Sequence, residues 1–329
     1  MRLARLLVCL CGAALARWLA SQPAVAAAPT NVPGAVLFSH VQPEQGLLEW
    51  RFNGRKLLAY TFGTHQFKPY VRELSSLAGD SVLQDAPADH LHHHGLMYAI
   101  RVNGVNFWEE RDQPGHQRHI KLLAHGTSRS ASGLPQASFT ELVHWVPHGE
   151  HTRADTTTAA FLVERRTLTL IVDEAKEEVA LAWHAEFEVG ARTNAVKLHG
   201  SDYNGLGLRL PSAWDHTARH ENSEHAPYPT DGKPGAVPAR WGAVSHTVDG
   251  RTTQVALFAR PRGHAGTNSF FAMTEPFTYL AATQGLDKWP LEYHAGDRFA
   301  IDYLVLVYPV ARTTAQLEAR YQAWAGELK

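Results

Sequence analysis

The chain has 329 residues, a formal net charge of −1 and 20 histidines. Near-zero charge without a basic stretch argues against a nucleic-acid partner. Beyond the N-terminus no run approaches the ~20 apolar residues of a membrane helix, so the chain reads as not membrane-spanning.

The N-terminus reads as an export signal. Arg2 and Arg5 precede the apolar run Leu6 to Ala16, and Pro23 to Ala28 offers small residues for cleavage after Ala26 or Ala27. Val8 and Leu10 precede Cys9 and Cys11, where a lipoprotein signal would place a small residue. These features predict a signal peptide over 1–27, one domain over 28–329, and a periplasmic or secreted protein. Both cysteines fall inside the signal, so the remainder has no thiol for a disulfide, a nucleophile or a metal.

Strand patterns then dominate. Leu47 to Phe52 and Lys56 to Tyr60 flank Asn53-Gly54, and Met97 to Val102 and Val105 to Trp108 flank Asn103-Gly104. Asn-Gly between alternating apolar runs is a strong hairpin signal, because both residues tolerate positive φ. Further strands are predicted at Phe139–Val146, Thr157–Glu164, Arg166–Asp173, Glu178–Val189, Val196–His199, Gln254–Ala259, Phe277–Ala282 and Phe299–Val307. Pro211 to Gly242 is the longest irregular stretch, of a length that suits a lid over an open face. One helix is expected near the C-terminus, capped by Thr313 or Thr314, with Leu317, Tyr321 and Trp324 on one stripe. The predicted fold is all-β, a large antiparallel β-sandwich with a C-terminal helix.

The densest chemistry lies at Asp89-His90-Leu91-His92-His93-His94-Gly95. An extended run would point His90, His92 and His94 one way and His93 the other. Imidazoles there suit proton transfer, with His90, His92 and His93 as candidate catalytic residues. His92 and His94 with Asp89 could hold one divalent ion, zinc, calcium or copper, with Asp85 a further carboxylate. Upstream, Pro69 favours an extended Lys68, so Lys68, Tyr70 and Arg72 project from a strand or its end. Tyr70 is a candidate catalytic residue; Lys68 and Arg72 suit an anionic or polyhydroxyl ligand. Downstream, Trp108 offers a flat face for a sugar ring and Glu109 a carboxylate, while Asp202, Asn204 and Arg209 place polar groups beside Gly205 and Gly207. That glycine segment lacks the lysine and following helix of a phosphate loop, so no nucleotide cofactor is expected. It equally suits a structural bulge. Glu292 and His294 form a weaker acid/base pair.

Phe67 to Val71, Gly79, Asp85, the histidine run with Leu96, and Asn106-Phe107-Trp108 together resemble a bacterial family labelled "methane oxygenase PmoA". The similarity extends through His144-Trp145, Glu164-Arg165 and Gly205 to Arg209, and departs at Ala259 to His264. A membrane methane oxygenase needs several spanning helices, for which this chain has no candidate. The resemblance instead implies a fold similar to the supersandwich of sugar mutarotases and polysaccharide lyases, and a setting among carbohydrate-degrading enzymes.

The resulting expectation is a secreted carbohydrate-active enzyme of the lyase, epimerase or hydrolase type. It would act on a small-molecule or oligosaccharide substrate by histidine acid/base chemistry, with or without a metal. The alternatives are a periplasmic copper- or zinc-binding oxidative protein and a non-catalytic sugar-binding module.

Overall fold

The computed structural model describes residues 38–229, 235–260 and 265–327. The predicted signal segment and residues 261–264 lie outside these. Both Asn-Gly pairs turn as expected: Asn53 and Gly54 have φ of 48° and 77°, Asn103 and Gly104 49° and 82°. The first turn joins two neighbouring strands of one sheet, and the second joins two strands of another.

Among the described residues the strands form three antiparallel sheets of nine, eight and four strands. The nine-stranded sheet runs Phe38–Gln42, Leu47–Phe52, Arg55–Thr61, Tyr70–Leu74, Leu96–Ala99, Gly205–Arg209, Tyr279–Thr283, Ser269–Met273, Val237–Pro238. The eight-stranded sheet runs Arg219–Asn222, Trp241–Val248, Arg251–Ala259, Arg298–Tyr308, Glu178–Val189, Leu162–Asp173, Pro135–Val146, His116–Arg129. The smallest joins Leu291–His294, Ala195–His199, Arg101–Val102 and Val105–Asn106. The two large sheets meet through interleaved rings, as a sandwich requires. Trp50 and Tyr60 lie 5.7 and 4.7 Å from Phe139, and Tyr98 lies 5.9 Å from Trp145.

The C-terminal helix is Thr314–Glu327, capped by Thr313. Gln316 N donates to Thr313 Oγ1, and Gln316 Oε1 accepts from Thr313 N, a reciprocal capping box. Its stripe of Leu317, Tyr321 and Trp324 covers Trp241, Phe258 and Leu304 on the eight-stranded sheet.

Three expectations need correction. Residues 157–159 turn in place of the expected strand, and the strand runs unbroken only from Leu162 to Asp173. The predicted strand at Val105 to Trp108 stops at Asn106, whose side-chain Oδ1 accepts from Trp108 N and Glu109 N at 2.9 and 3.1 Å. An Asx turn therefore wins over the strand pattern. Pro211 to Gly242, expected to be irregular, contains a paired strand, since Arg219–Asn222 pairs with Trp241–Val248. The strand His116–Arg129 was not legible, because most of it is polar and half-exposed or exposed.

Charges inside the sandwich are the less expected feature. Arg166 is fully buried, and its guanidinium donates to both oxygens of Glu164 at 2.7 and 2.9 Å. It donates further to Tyr60 Oη at 3.0 Å, Gln117 Oε1 at 2.9 Å and the Pro69 carbonyl at 2.9 Å. Trp145 Nε1 donates to Glu164 at 2.7 Å, and Tyr60 donates to the buried Glu141. Removing one partner of such a pair strands the other charge in the core, which costs about 3–5 kcal/mol. Glu164→Ala should therefore lower unfolding free energy by that amount in urea titration. A loss below about 1 kcal/mol would mean that the network contributes little.

Candidate functional site

The histidine run does not extend along a strand. His90 N donates to Pro87 O, His93 N to His90 O, and Ala86 N to His93 O, each at 2.9 Å. These bonds curl residues 86–93 into consecutive turns. The predicted alternation is thereby overturned: His90, His92 and His93 cluster on one side, and His94 points away into a separate network. His90 and His93 stack at 4.5 Å, and His92 meets His93 edge-on at 4.6 Å.

The cluster lines a cleft of about 980 Å³ at one end of the nine-stranded sheet. Asp89, Trp108 and Glu109 share its lining. More of the lining comes from segments with no sequence link to the histidine run: Tyr203, Phe271, Phe277, Tyr279, His220 and Tyr228. Strand pairing explains the convergence, since Gly205–Arg209 lies between Leu96–Ala99 and Tyr279–Thr283. Gly207 permits this closeness, because a Cβ there would sit 1.8 Å from Tyr279 Oη. Ala218 and Pro227 to Pro229 bring the Pro211 to Gly242 segment to the cleft, while 230–234 lie outside the described residues.

His93 is 3 % exposed, and its Nδ1 has no hydrogen-bond partner. Burial, then the neighbouring His92, His90 and Arg209, pushes its pKa down to about 3. Burial, then Lys68, also lowers His92. His93 therefore stays a neutral imidazole at ordinary pH. His90 Nδ1 lies 2.9 Å from Asp89 Oδ2. The His90 hydrogen bond, with Arg209 adding to it, holds Asp89 below the usual carboxylate range. Arg209 Nη2 donates to the same Asp89 oxygen at 3.3 Å, and its guanidinium lies 4.0 Å from the Phe277 ring centre. Its Nε and Nη1, like Trp108 Nε1, are buried without a hydrogen-bond partner. Buried polar atoms are rarely left so in a finished core.

Behind this layer lies a second one. Lys68, 1 % exposed, donates from Nζ to Glu110 Oε1 at 2.5 Å and to the Trp108 carbonyl at 3.3 Å. His94 is held between Asp85 at Nδ1 and Glu110 at Nε2, both 3.0 Å, and stacks on Tyr70 at 4.3 Å. Tyr70 donates to Asp85 Oδ2 at 3.2 Å, and burial pushes its hydroxyl pKa up. Arg72 is exposed and pairs with Asp85 at 3.5 Å. Lys68, Tyr70 and Arg72 thus do not line the cleft, so Tyr70 supports the histidine turn and does not face a ligand. The structure does not bring the predicted metal set together either. Both nitrogens of His94 face carboxylates, and Asp89, His92 and His94 are not among the described groups whose ligand atoms converge.

Asp202 and Asn204 also lie outside the lining. Asn204 Oδ1 accepts from Ser201 N at 3.0 Å and closes the turn before Gly205, so its role is local. Glu292 and His294, 3.5 Å apart, sit exposed on an edge strand. The missed wall residues carry no motif; aromatic residues beginning a strand read simply as core. Among the described residues no helix is long and apolar enough to cross a membrane.

The family comparison matches residues 48–322 to a family of unknown function, DUF6807. The chain belongs to that family. A search of curated proteins finds no match to this DUF6807 member. Similar solved structures include an α-galactosidase from Lactobacillus brevis, at 10 % identity and a TM-score of 0.44 over 87 % of this chain and 41 % of that one. Another is a glycoside hydrolase family 97 enzyme from Pseudoalteromonas sp. strain K8, at 7 % identity and 0.43 over 77 % of this chain and 34 % of that one. A third is the GH36 α-galactosidase AgaA from Geobacillus stearothermophilus, at 10 % identity and 0.42 over 83 % and 40 %. The DUF6807 chain spans less than half the length of each.

The supporting layer should show in pH dependence. Burial disfavours charge on both His94 and Glu110, but their partners outweigh it: hydrogen bonds to Asp85 and then Glu110 raise His94, and the His94 hydrogen bond, with Lys68, lowers Glu110. A raised histidine stabilises below its unfolded value of 6.5, and that contribution fades as pH rises through the folded value. A lowered glutamate stabilises above 4.5 and loses its contribution as pH falls. The melting-temperature loss in His94→Gln should therefore be largest between about pH 4.5 and 6.5. A loss that is flat with pH would contradict the charged pairing.

Proposed function

We propose that this protein is an exported carbohydrate-active enzyme whose cleft holds a sugar or keto-sugar and transfers protons through His90. The observation that carries this reading is the Asp89–His90 pair on the wall of an aromatic-lined cleft, beside buried polar atoms that lack partners. Aromatic faces suit the apolar side of a sugar ring, and neutral imidazoles exchange donor and acceptor roles with hydroxyls. Trp108 and Tyr203, 4.9 Å apart, supply the faces; His92 and His93 supply the imidazoles.

The chemistry follows from the pair. Asp89 accepts a hydrogen bond from His90 Nδ1–H, which fixes the tautomer and leaves Nε2 with a free lone pair. His90 Nε2 removes the proton from the carbon beside a substrate carbonyl, and the C–H electron pair moves onto the carbonyl oxygen. Arg209, charged next to this pair, favours the developing negative charge. Return of the proton to the opposite face gives an epimer; loss of a β-substituent with the electron pair gives an unsaturated product. Hydrolysis by two carboxylates is less suited. Asp89 is engaged by His90 and Arg209, and Glu109 by Asn106, Tyr203 and Arg111.

A thermal-shift screen of neutral sugars, uronates and keto-sugars should find a ligand, and NMR in heavy water should show deuterium entering its α-carbon. His90→Ala should slow that exchange by roughly 10²- to 10⁴-fold while ligand affinity changes little. Exchange at the unaltered rate in His90→Ala would refute the role of His90. Binding without exchange in the native protein would make the cleft a binding module.

A further inference from the structure

Outside the cleft, the structure gathers three imidazoles that the proton chemistry does not use. His116 opens the strand His116–Arg129 and pairs in register with Val146, the last residue of the neighbouring strand. The chain then turns through Pro147-His148-Gly149-Glu150-His151, with Glu150 N donating to Pro147 O at 3.3 Å and Arg153 N to Glu150 O at 3.2 Å. In such tight turning residues three apart fall on one side, so His148 and His151 face the same way. Gly149, with φ of 85°, allows the bend. One ligand nitrogen from each of His116, His148 and His151 lies within 4.8 Å of the other two.

Ring stacking alone does not account for the arrangement. The His116 and His151 rings lie 3.6 Å apart and nearly parallel, and His116 also stacks on Phe67 at 4.6 Å. Yet His116 Nε2 and His151 Nδ1 are both buried without a hydrogen-bond partner. Two such atoms in one cluster are what a coordinated cation would satisfy. Arg118 is the opposing charge, but its guanidinium is engaged with the carbonyls of His151 and, at 3.1 Å, Arg153, which secures the turn.

We propose that His116, His148 and His151 bind one imidazole-preferring divalent transition-metal ion, Zn²⁺ or Cu²⁺. Three nitrogen donors without a carboxylate exclude the oxygen-seeking Ca²⁺ and Mg²⁺ as fitting occupants. Three protein ligands leave a further coordination position for water or another small donor. The ion would tie the turn at 147–152 to the first residue of the edge strand. This site is independent of the proposed sugar chemistry.

The test uses the untagged full chain carrying Cys9→Ser and Cys11→Ser, so that thiols do not bind metal. After chelator treatment it is dialysed against Zn²⁺, Cu²⁺ or Ca²⁺ and its metal content measured, with affinity from chelator competition. The expected result is one tightly held Zn²⁺ or Cu²⁺, no retained Ca²⁺, and a higher melting temperature with the ion. His148→Ala, at an exposed position, should weaken binding by more than the roughly 10- to 100-fold that follows loss of an outer-shell partner. It should also abolish the thermal shift, whereas His92→Ala should leave both unchanged. Absence of tight Zn²⁺ or Cu²⁺ binding in the parent would overturn the proposal. So would undiminished binding in His148→Ala, or loss of the ion in His92→Ala.

Discussion

Arg166 is a cation sealed between two sheets, and much of the molecule is arranged to keep it satisfied. Burial disfavours its charge, but Glu164, Tyr60 and Glu141 outweigh that effect and hold the guanidinium protonated. A buried charge of this kind survives only when nearly every donor has an acceptor. One of those acceptors is the carbonyl of Pro69. The same guanidinium that crosses the core thus fixes the backbone between Lys68 and Tyr70, which begins the layer behind the cleft.

From that point the constraint runs outward through named bonds. Lys68 reaches Glu110 and the Trp108 carbonyl, Glu110 reaches His94, and His94 reaches Asp85, which Tyr70 also contacts. Asp85 and His94 are bridged through their backbones as well, closing the loop that carries His90, His92 and His93. The cleft histidines are therefore mounted on a charged lattice and not on a strand. This arrangement separates two duties that the residue types share. Carboxylates and cations behind the turn are mutually satisfied, whereas His93 and Trp108 at the cleft, and Arg209 beside Asp89, retain unpartnered atoms. Preorganised groups of that kind are what a polar ligand needs, because their orientation cost is met before it arrives.

Sequence reasoning reached the architecture where local rules govern. The Asn-Gly turns, the long apolar strands and the Thr313 cap each follow from a few adjacent residues. It found the histidine run and Trp108 by density alone, and there the geometry differed, because turn hydrogen bonds to Pro87 O and His90 O outweighed alternation. Lys68 and Tyr70 were legible as important but not as supporting, since burial is a property of what packs over them. Glu141 and Arg166 gave no sign of being core, because charged residues on alternating strands read as a solvent face. The grouping of Phe277, Tyr279 and Tyr203 with residues near 90 depends on sheet order, which no local pattern encodes.

Histidine-selective nitrogen NMR tests the central claim most directly, with titration by whichever sugar or keto-sugar raises the melting temperature. The account predicts that bound ligand moves the His90, His92 and His93 signals and leaves those of His94 and His116 in place. It also predicts that His93 stays neutral from about pH 5 to 8. A bound sugar that leaves the three cleft histidines unmoved, or a His93 that titrates near neutrality, would contradict it.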